Sequence, residues 1–396
     1  MNSLSNYFRG TACKYLSAVD ATPSKSNQHE IGSNKFTAIL GVPGNEKSRF
    51  NATFMFFPTD ADEPEICSDI VTYYDTRVGQ PNRSPEYRLY YRSNAVTELM
   101  NAGDFCLISV RTTGELLVAI APQGSANERR LRYLFNADSS QQQWVVGTEV
   151  DSHELDLASR SILSAIGVET AEPLENLLGQ IIDRFGVTFP STILFSAFAR
   201  ETLADQVSAA EQPDFALEEW MKQEERLFRT LERELVETRI KQGFDSVESF
   251  VAFSLSVQNR RKSRVGHALE NHLEAVLKAS NIRYQRGGKT EGNSRPDFLF
   301  PSAKDYHDPN IASPPLQMLA AKSTCKDRWR QILAEAARIP RKHLFTLETA
   351  ISESQTDEMK KHSVQLVVPP SVAKTFSVTQ QHGLMSLKAL IAILPS

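Results

Sequence analysis

Asp297 follows a proline and opens a short apolar run, Asp297-Phe298-Leu299-Phe300. Twenty-five residues later Lys322 closes a second run, Leu316-Gln317-Met318-Leu319-Ala320-Ala321. An aspartate at a strand entrance and a lysine at a strand end are the residue types that metal-assisted phosphodiester hydrolysis needs. Carboxylates hold Mg²⁺ beside the scissile phosphate, and a cation offsets the developing charge or helps activate water. The apolar and small residues before Lys322 would fix its position. The cationic string that follows, Lys326-Asp327-Arg328-Trp329-Arg330, could hold DNA.

A second carboxylate has to be found. In the commoner nuclease pattern it lies two positions before the lysine, where strand alternation returns it to the same sheet face. That position is Ala320, which cannot bind metal. Glu335 is one candidate, in a helix expected over 326–338, where it would share a face with Arg328. Glu270 is another, on an earlier helix, with Glu274 one turn along the same face.

The elements that must position these residues fall into two regions. Residues 1 to about 170 carry short apolar runs separated by Gly, Pro, Asn and Asp turns, the pattern of a β-rich barrel or sandwich. The runs include Phe36-Thr37-Ala38-Ile39-Leu40, Phe54-Met55-Phe56-Phe57, Glu86-Tyr87-Arg88-Leu89-Tyr90-Tyr91 and Gly114-Glu115-Leu116-Leu117-Val118-Ala119-Ile120. A helix is expected over 155–166. Residues 171–184 read as a linker between a domain at 1–170 and a domain at 185–396. In the second domain, helical periodicity predicts helices over 218–241 and 265–279 and another after Ser246, with Ser246 and Ser249 as caps. Further helices are expected over 355–362 and 385–394, with strands at 343–347 and 364–368. Alternating strands and helices predict a sheet covered on both faces.

Bulk properties narrow the setting. The chain has 396 residues, 41% hydrophobic and 23% charged, with a net charge of −4, so any DNA surface must be local. No apolar run approaches the ~20 residues needed to span a bilayer. The four cysteines form no CxxC pair, which argues against a zinc site or disulfide framework and for a reducing cytoplasm. No histidine spacing makes a metal site.

Several separated motifs, in order, carry a family resemblance. They are Asn259-Arg260-Arg261-Lys262-Ser263-Arg264, the helix with Glu270, Thr290-Glu291-Gly292-Asn293, Pro296-Asp297-Phe298-Leu299-Phe300-Pro301-Ser302, Tyr306-His307-Asp308 and the stretch from Lys322 to Leu333. Over roughly residues 240 to 370 the chain resembles the EcoRII-like type II (type IIE) restriction endonucleases of the PD-(D/E)XK superfamily. The resemblance implies an α+β chain of two domains: an N-terminal β-rich DNA-binding pseudobarrel and a C-terminal α/β restriction-endonuclease-like core with a mixed central sheet. It assigns Asp297, Lys322 and Glu335 to a Mg²⁺-dependent centre, with Asp297 and Glu335 on the metal, and gives Glu270 a supporting role. The alanine at 320 is then expected, since the second acid has moved C-terminal to the lysine. Lys326, Asp327 and Arg328 match base-reading residues, in keeping with Arg and Lys donating to guanine and Asp accepting from cytosine. Tyr306 matches a tyrosine near the centre, with a phosphate-positioning role. Arg260, Arg261, Lys262 and Arg264 suit backbone phosphates.

In the N-terminal region, Asn27-Gln28-His29-Glu30-Ile31-Gly32 and Tyr73-Tyr74-Asp75-Thr76-Arg77 resemble the effector domain of the same family. His29, Arg77, Arg83, Arg88 and Arg92 are the expected contacts to a second, activating DNA site. The implied activity is cleavage of double-stranded DNA at a short G·C-rich palindromic or pseudopalindromic site, leaving 5′-phosphates, by a homodimer in the bacterial cytoplasm. A cognate DNA methyltransferase is expected as a functional partner. Two other readings remain: a non-catalytic DNA-binding regulator with a nuclease-like fold, and a nuclease whose N-terminal domain reads modified DNA.

Overall fold

A computed structural model describes residues 3–21, 29–44, 46–59, 64–80, 82–137, 144–147, 155–168, 170, 175–310, 316–325 and 328–395. The chain is mixed α+β and divides into two compact units, Met1–Thr170 and Ala171–Ser396.

The first unit is built on an eight-stranded mixed sheet. Its strands are β1 (Phe8–Tyr15), β2 (Glu30–Gly32), β3 (Ser48–Phe56), β4 (Glu65–Asp75), β5 (Tyr87–Tyr90), β6 (Phe105–Arg111), β7 (Leu116–Ala121) and β8 (Val145–Gly147), in the order β2-β5-β4-β3-β7-β6-β1-β8. All pairings are antiparallel except β3 with β7, where Ala52 lies opposite Leu116. Strand alternation explains why β7 is buried throughout. Leu116, Val118 and Ile120 join a core with Phe36, Tyr73, Tyr91 and Trp144. Leu117, Ala119 and Ala121 join a second core with Phe8, Leu107, Leu131, Leu134 and Leu163. The helices Ala126–Leu134 and Leu157–Ala165 supply the last three of these, each started by a side-chain cap from Ser125 or Asp156. The run at 36–40, expected as a strand, instead forms a 3₁₀ turn, Asn34–Phe36, and one helical turn, Thr37–Leu40. The turn is fixed by Ser33, whose hydroxyl accepts from Lys35 N, and Phe36 drops fully into the core.

The second unit opens with helices. The expected linker at 171–184 is corrected by the helix Glu175–Phe185, in which Ile181 is completely buried against a cluster including Phe198, Leu227 and Phe228. Thr192–Glu201 and Pro213–Gln242 follow. A capping box between Ser246 and Ser249 then starts one continuous helix, Val247–Ala279, where a helix after Ser246 and a separate one over 265–279 had been expected. Its C-terminal half packs hard: Leu269, Leu273, Val276 and Leu277 are wholly buried, each contributing roughly 1.5–3 kcal/mol.

The sheet of this unit has five strands, β9 (Gln285–Arg286), β10 (Phe298–Phe300), β11 (Gln317–Lys322), β12 (Lys342–Thr346) and β13 (Val364–Val367), in the order β13-β12-β11-β10-β9. It is mixed: β10 runs antiparallel to both β9 and β11, while β11, β12 and β13 are parallel to one another. The helix expected over 326–338 is much shorter. Arg328–Gln331 is one helical turn, Ile332–Ala334 is a 3₁₀ turn, and Glu335 already has extended backbone.

Candidate active site

Phe298 pairs with Leu319 across β10 and β11, so Asp297 enters the sheet beside the end of β11. One oxygen of Asp297, Oδ2, accepts from the Ala321 amide and from Lys322 Nζ, both at 2.8 Å. The two side chains are 19% and 22% exposed, enough screening from water to make the pair directional and enough opening to admit a ligand. Ala320, where the commoner pattern has an acid, is fully buried.

Glu335 follows the 3₁₀ turn in extended backbone. Burial pushes its carboxyl above the ordinary range, the charge of Asp297 pushes the same way, and Lys322 and Lys342 oppose the shift. The charges of Asp297 and Lys322 thus both act on the Glu335 carboxyl. The expected shared helix face of Arg328 and Glu335 is corrected, because Arg328 starts a four-residue helix that ends before Glu335.

The donor set suits a hard dication. No hydrogen bond among the described residues uses Asp297 Oδ1 or the Glu335 carboxylate. No group of three or more His, Cys, Asp and Glu among the described residues is arranged to enclose a metal. The oxygens left over on the Asp297 and Glu335 carboxylates are the ligand type that a hard divalent cation takes. They do not match zinc.

The other expected site residues take different places. Glu270 pairs with Arg286 at 2.8 Å, and Arg286 also binds Glu274 at 2.9 Å. Both carboxylates are thus occupied in bracing β9 against the long helix. Tyr306 is 1% exposed, and its hydroxyl donates to Glu291 and accepts from Arg338 N at 3.1 Å. The ring lies inside the protein, so the structure assigns Tyr306 to loop support and corrects its phosphate-positioning role. Lys326 and Asp327 lie outside the described residues; Arg328 is exposed, its amide bound to Cys325 O at 2.8 Å. The string at 260–264 is corrected too. Arg261 pairs with Glu232 at 2.6 Å, Arg264 is buried against Glu225, and Arg260 lies over the Phe189 ring at 4.4 Å. These arginines tie two helices together, and Lys262 on the same helix also has a partner.

In the first unit, His29 is half-buried with its ring edge-on to Tyr91 at 5.6 Å. Arg77 pairs with Glu86 at 2.6 Å, and Arg88 bridges Glu30 and Glu86 at 2.7 Å each. Arg83 and Arg92 are exposed, and Arg77 and Arg83 line one shallow groove with Asp75 and Gln80.

Sequence reasoning passed over three residues that build the site. Glu348 accepts from the Cys325 amide and so fixes the turn after Lys322. Glu291 accepts from Ala337 N at 3.1 Å, and Lys342 binds the carbonyl of Glu335. Glu348, just beyond the end of β12 and beside the end of β11, could have been found by asking which acids follow a parallel strand; Glu291 stood in a motif quoted for the resemblance but was given no role, and nothing local marked Lys342.

The family model described as EcoRII C terminal matches residues 228–391, a span that contains Asp297, Lys322 and Glu335. Those residues are thus similar to the C-terminal domain of EcoRII. The type II restriction enzyme EcoRII of Escherichia coli is 46% identical over 181 residues, covering 46% of this chain and 45% of that protein. The match thus spans less than half the length of EcoRII. Among solved structures, metal-depleted Ecl18kI in complex with uncleaved, modified DNA aligns with a TM-score of 0.45 and 17% identity, covering 55% of this chain and 82% of that one. The UbaLAI restriction endonuclease B3 domain with cognate DNA aligns with a TM-score of 0.22 and 16% identity, over 35% and 85% of the two chains. No described helix is long and apolar enough to cross a membrane.

Proposed function

We propose that this chain is a type II restriction endonuclease that hydrolyses double-stranded DNA at a short G·C-rich palindromic or pseudopalindromic site and leaves 5′-phosphates. The observation that carries it is the Asp297–Lys322 pair with Glu335 coupled to both, set inside the segment that is 46% identical to EcoRII. Asp297, through Oδ1, and Glu335 would hold Mg²⁺, which when bound polarises the phosphate and lowers the pKa of its water. Lys322 stands at the end of a buried strand, so its ammonium cannot wander. It would orient the attacking water and offset the negative charge that builds on the phosphate oxygens. Lys326, Asp327 and Arg328 would read base edges in the major groove.

A palindromic target needs a two-fold reader, so the working form is a homodimer. The first unit would bind a second copy of the site. Arg83 and Arg92 are its accessible cations, while Arg77 and Arg88 would exchange carboxylate partners for phosphate.

Digestion of a sequenced plasmid with the purified full chain tests this reading. Double-strand cuts at one recurrent G·C-rich sequence are expected with Mg²⁺ and none with a chelator. Lys322→Ala should bind the same DNA without cutting it. Absence of cleavage by the native chain on plasmids with many sites would reject the nuclease; cleavage at random positions would reject the site-specific reading.

A further inference from the structure

Glu335 sits on a strained piece of backbone. The next residue, Ala336, has φ +47°, a left-handed conformation that costs a non-glycine residue on the order of 1–2 kcal/mol. Something must hold the chain there. Lys342, at the start of β12, is 6% exposed, and its Nζ donates to the carbonyls of Glu335 at 2.6 Å, Ala336 at 3.1 Å and Ile339 at 3.1 Å. All three ammonium donors are used. A buried lysine is tolerated only when satisfied in this way, and here every partner is a backbone carbonyl of the loop that carries Glu335. The amide side of the loop is gripped separately. Ala336 N donates to Thr290 Oγ1 at 3.4 Å, Ala337 N to Glu291 Oε2 at 3.1 Å, and Arg338 N to the Tyr306 hydroxyl at 3.1 Å.

We infer that Lys342 is a positioning residue for the metal carboxylate: it fixes the backbone of Glu335 from beneath and so aims the Glu335 side chain, without touching metal or phosphate itself. Glu291 and Tyr306 do the same from the opposite face. This inference rests on the nuclease reading, in which Glu335 is a metal ligand.

The test is a double-mutant cycle on the full-length chain with Lys342→Met, Glu335→Gln and the pair. Two quantities are read: Mn²⁺ affinity without DNA, by electron paramagnetic resonance, and the Mg²⁺ concentration that half-saturates plasmid cleavage. Lys342→Met should weaken Mn²⁺ binding and raise the Mg²⁺ requirement by about tenfold, the usual scale for a group that orients a metal ligand. Binding of site DNA in chelator should stay within about twofold of native. In the Glu335→Gln background the same substitution should change neither quantity, because the group it aims is gone. An unchanged metal affinity in Lys342→Met, or an equal loss in both backgrounds, overturns the inference. Should Lys342→Met fail to fold, Tyr306→Phe loosens the amide side only, and it should shift both quantities the same way by roughly threefold; no shift overturns the inference. If the native chain binds no Mn²⁺ at millimolar concentration and cuts no DNA, the nuclease reading fails instead. If the native chain binds and cuts normally, only the role of Lys342 is at issue.

Discussion

Replacing Lys322 with methionine should separate metal binding from turnover, in opposite directions. The lysine ammonium lies 2.8 Å from Asp297 Oδ2, with both side chains about a fifth exposed. At that separation the attraction is about 1.5 kcal/mol with the dielectric constant of water and about 6 kcal/mol with a value of 20, before desolvation and side-chain ordering are subtracted. A net coupling of about 1–2 kcal/mol is reasonable for so open a pair. An incoming dication feels the opposite sign: it gains two carboxylates but is repelled by the adjacent ammonium. Removing that ammonium should therefore tighten binding of Ca²⁺, an oxygen-seeking dication of the same charge, by roughly five- to thirtyfold in a calorimetric titration. Methionine keeps most of the buried stem, so the end of β11 should hold its place. Cleavage at saturating Mg²⁺ should nevertheless fall by about 10² to 10³, the cost of losing one group that stabilises transition-state charge. A lysine that merely shaped the strand end would lose both properties together when removed. Weaker Ca²⁺ binding in Lys322→Met, or cleavage within about tenfold of native, would refute this electrostatic account of the site.

Three further outcomes follow from the same geometry. Glu335→Gln should lower cleavage by at least about 10² and raise the Mg²⁺ requirement, while DNA binding in chelator is unchanged; gel-shift and cleavage assays on one preparation check both. His343 is 1% exposed on β12, and burial, with the Arg341 charge adding to it, lowers its pKa from 6.5 to about 4. Between those values the unfolded chain takes up a proton that the folded chain refuses, so stability should fall as pH drops through that window, by about 2 kcal/mol at pH 5. Melting of the native chain at pH 7.5 and 5.0 should show a drop that His343→Leu reduces by roughly 4–8 °C, and equal drops would contradict it. Finally, residues 171–396 expressed alone should cleave without a second DNA site; a truncated chain that folds, by circular dichroism, yet does not cut would argue against an inhibitory first unit.

Asp297 and Lys322 were legible because each sits at the edge of an apolar run, and strand ends are where a sheet presents side chains to a ligand. A sheet with helical crossovers was legible for a related reason, since β11, β12 and β13 are apolar and separated by segments long enough for crossovers; its mixed character was implied by the family resemblance. Glu335 was named from the sequence, but its setting was not. The residues from Ile332 to Ala337 look helical by propensity, and only tertiary hydrogen bonds from Lys342, Glu291 and Tyr306 turn them out of the helix. The string at 260–264 failed in the opposite sense. Its charge density suggested a phosphate surface, yet Glu225 and Glu232 on the neighbouring helix take up Arg264 and Arg261. Local composition shows charge; it does not show that the compensating charge lies about thirty residues away. Residues 36–40 became helical because an apolar run of that length fits either periodicity, and a serine cap at Ser33 decided the matter.

The alanine at 320 and the buried lysine at 342 belong to one arrangement. An acid in the middle of a strand needs no special support, because the β-ladder fixes its backbone on both sides. Moving that acid to a loop gives up the ladder, and the loop must be fixed by other means. Here the replacement consists of three carbonyls bound by one ammonium and three amides bound by Thr290, Glu291 and Tyr306. The exchange also closes the original position. Ala320 is completely buried in the sheet, opposite Leu344, so a carboxylate placed there would have to be desolvated as well as accommodated. It would also add a third negative charge where the Asp297 charge already pushes the Glu335 carboxyl up and Lys322 opposes it. In the proposed site, packing and charge both favour the loop position for the second acid, and the support around Glu335 would be as much a part of that site as the carboxylate it holds.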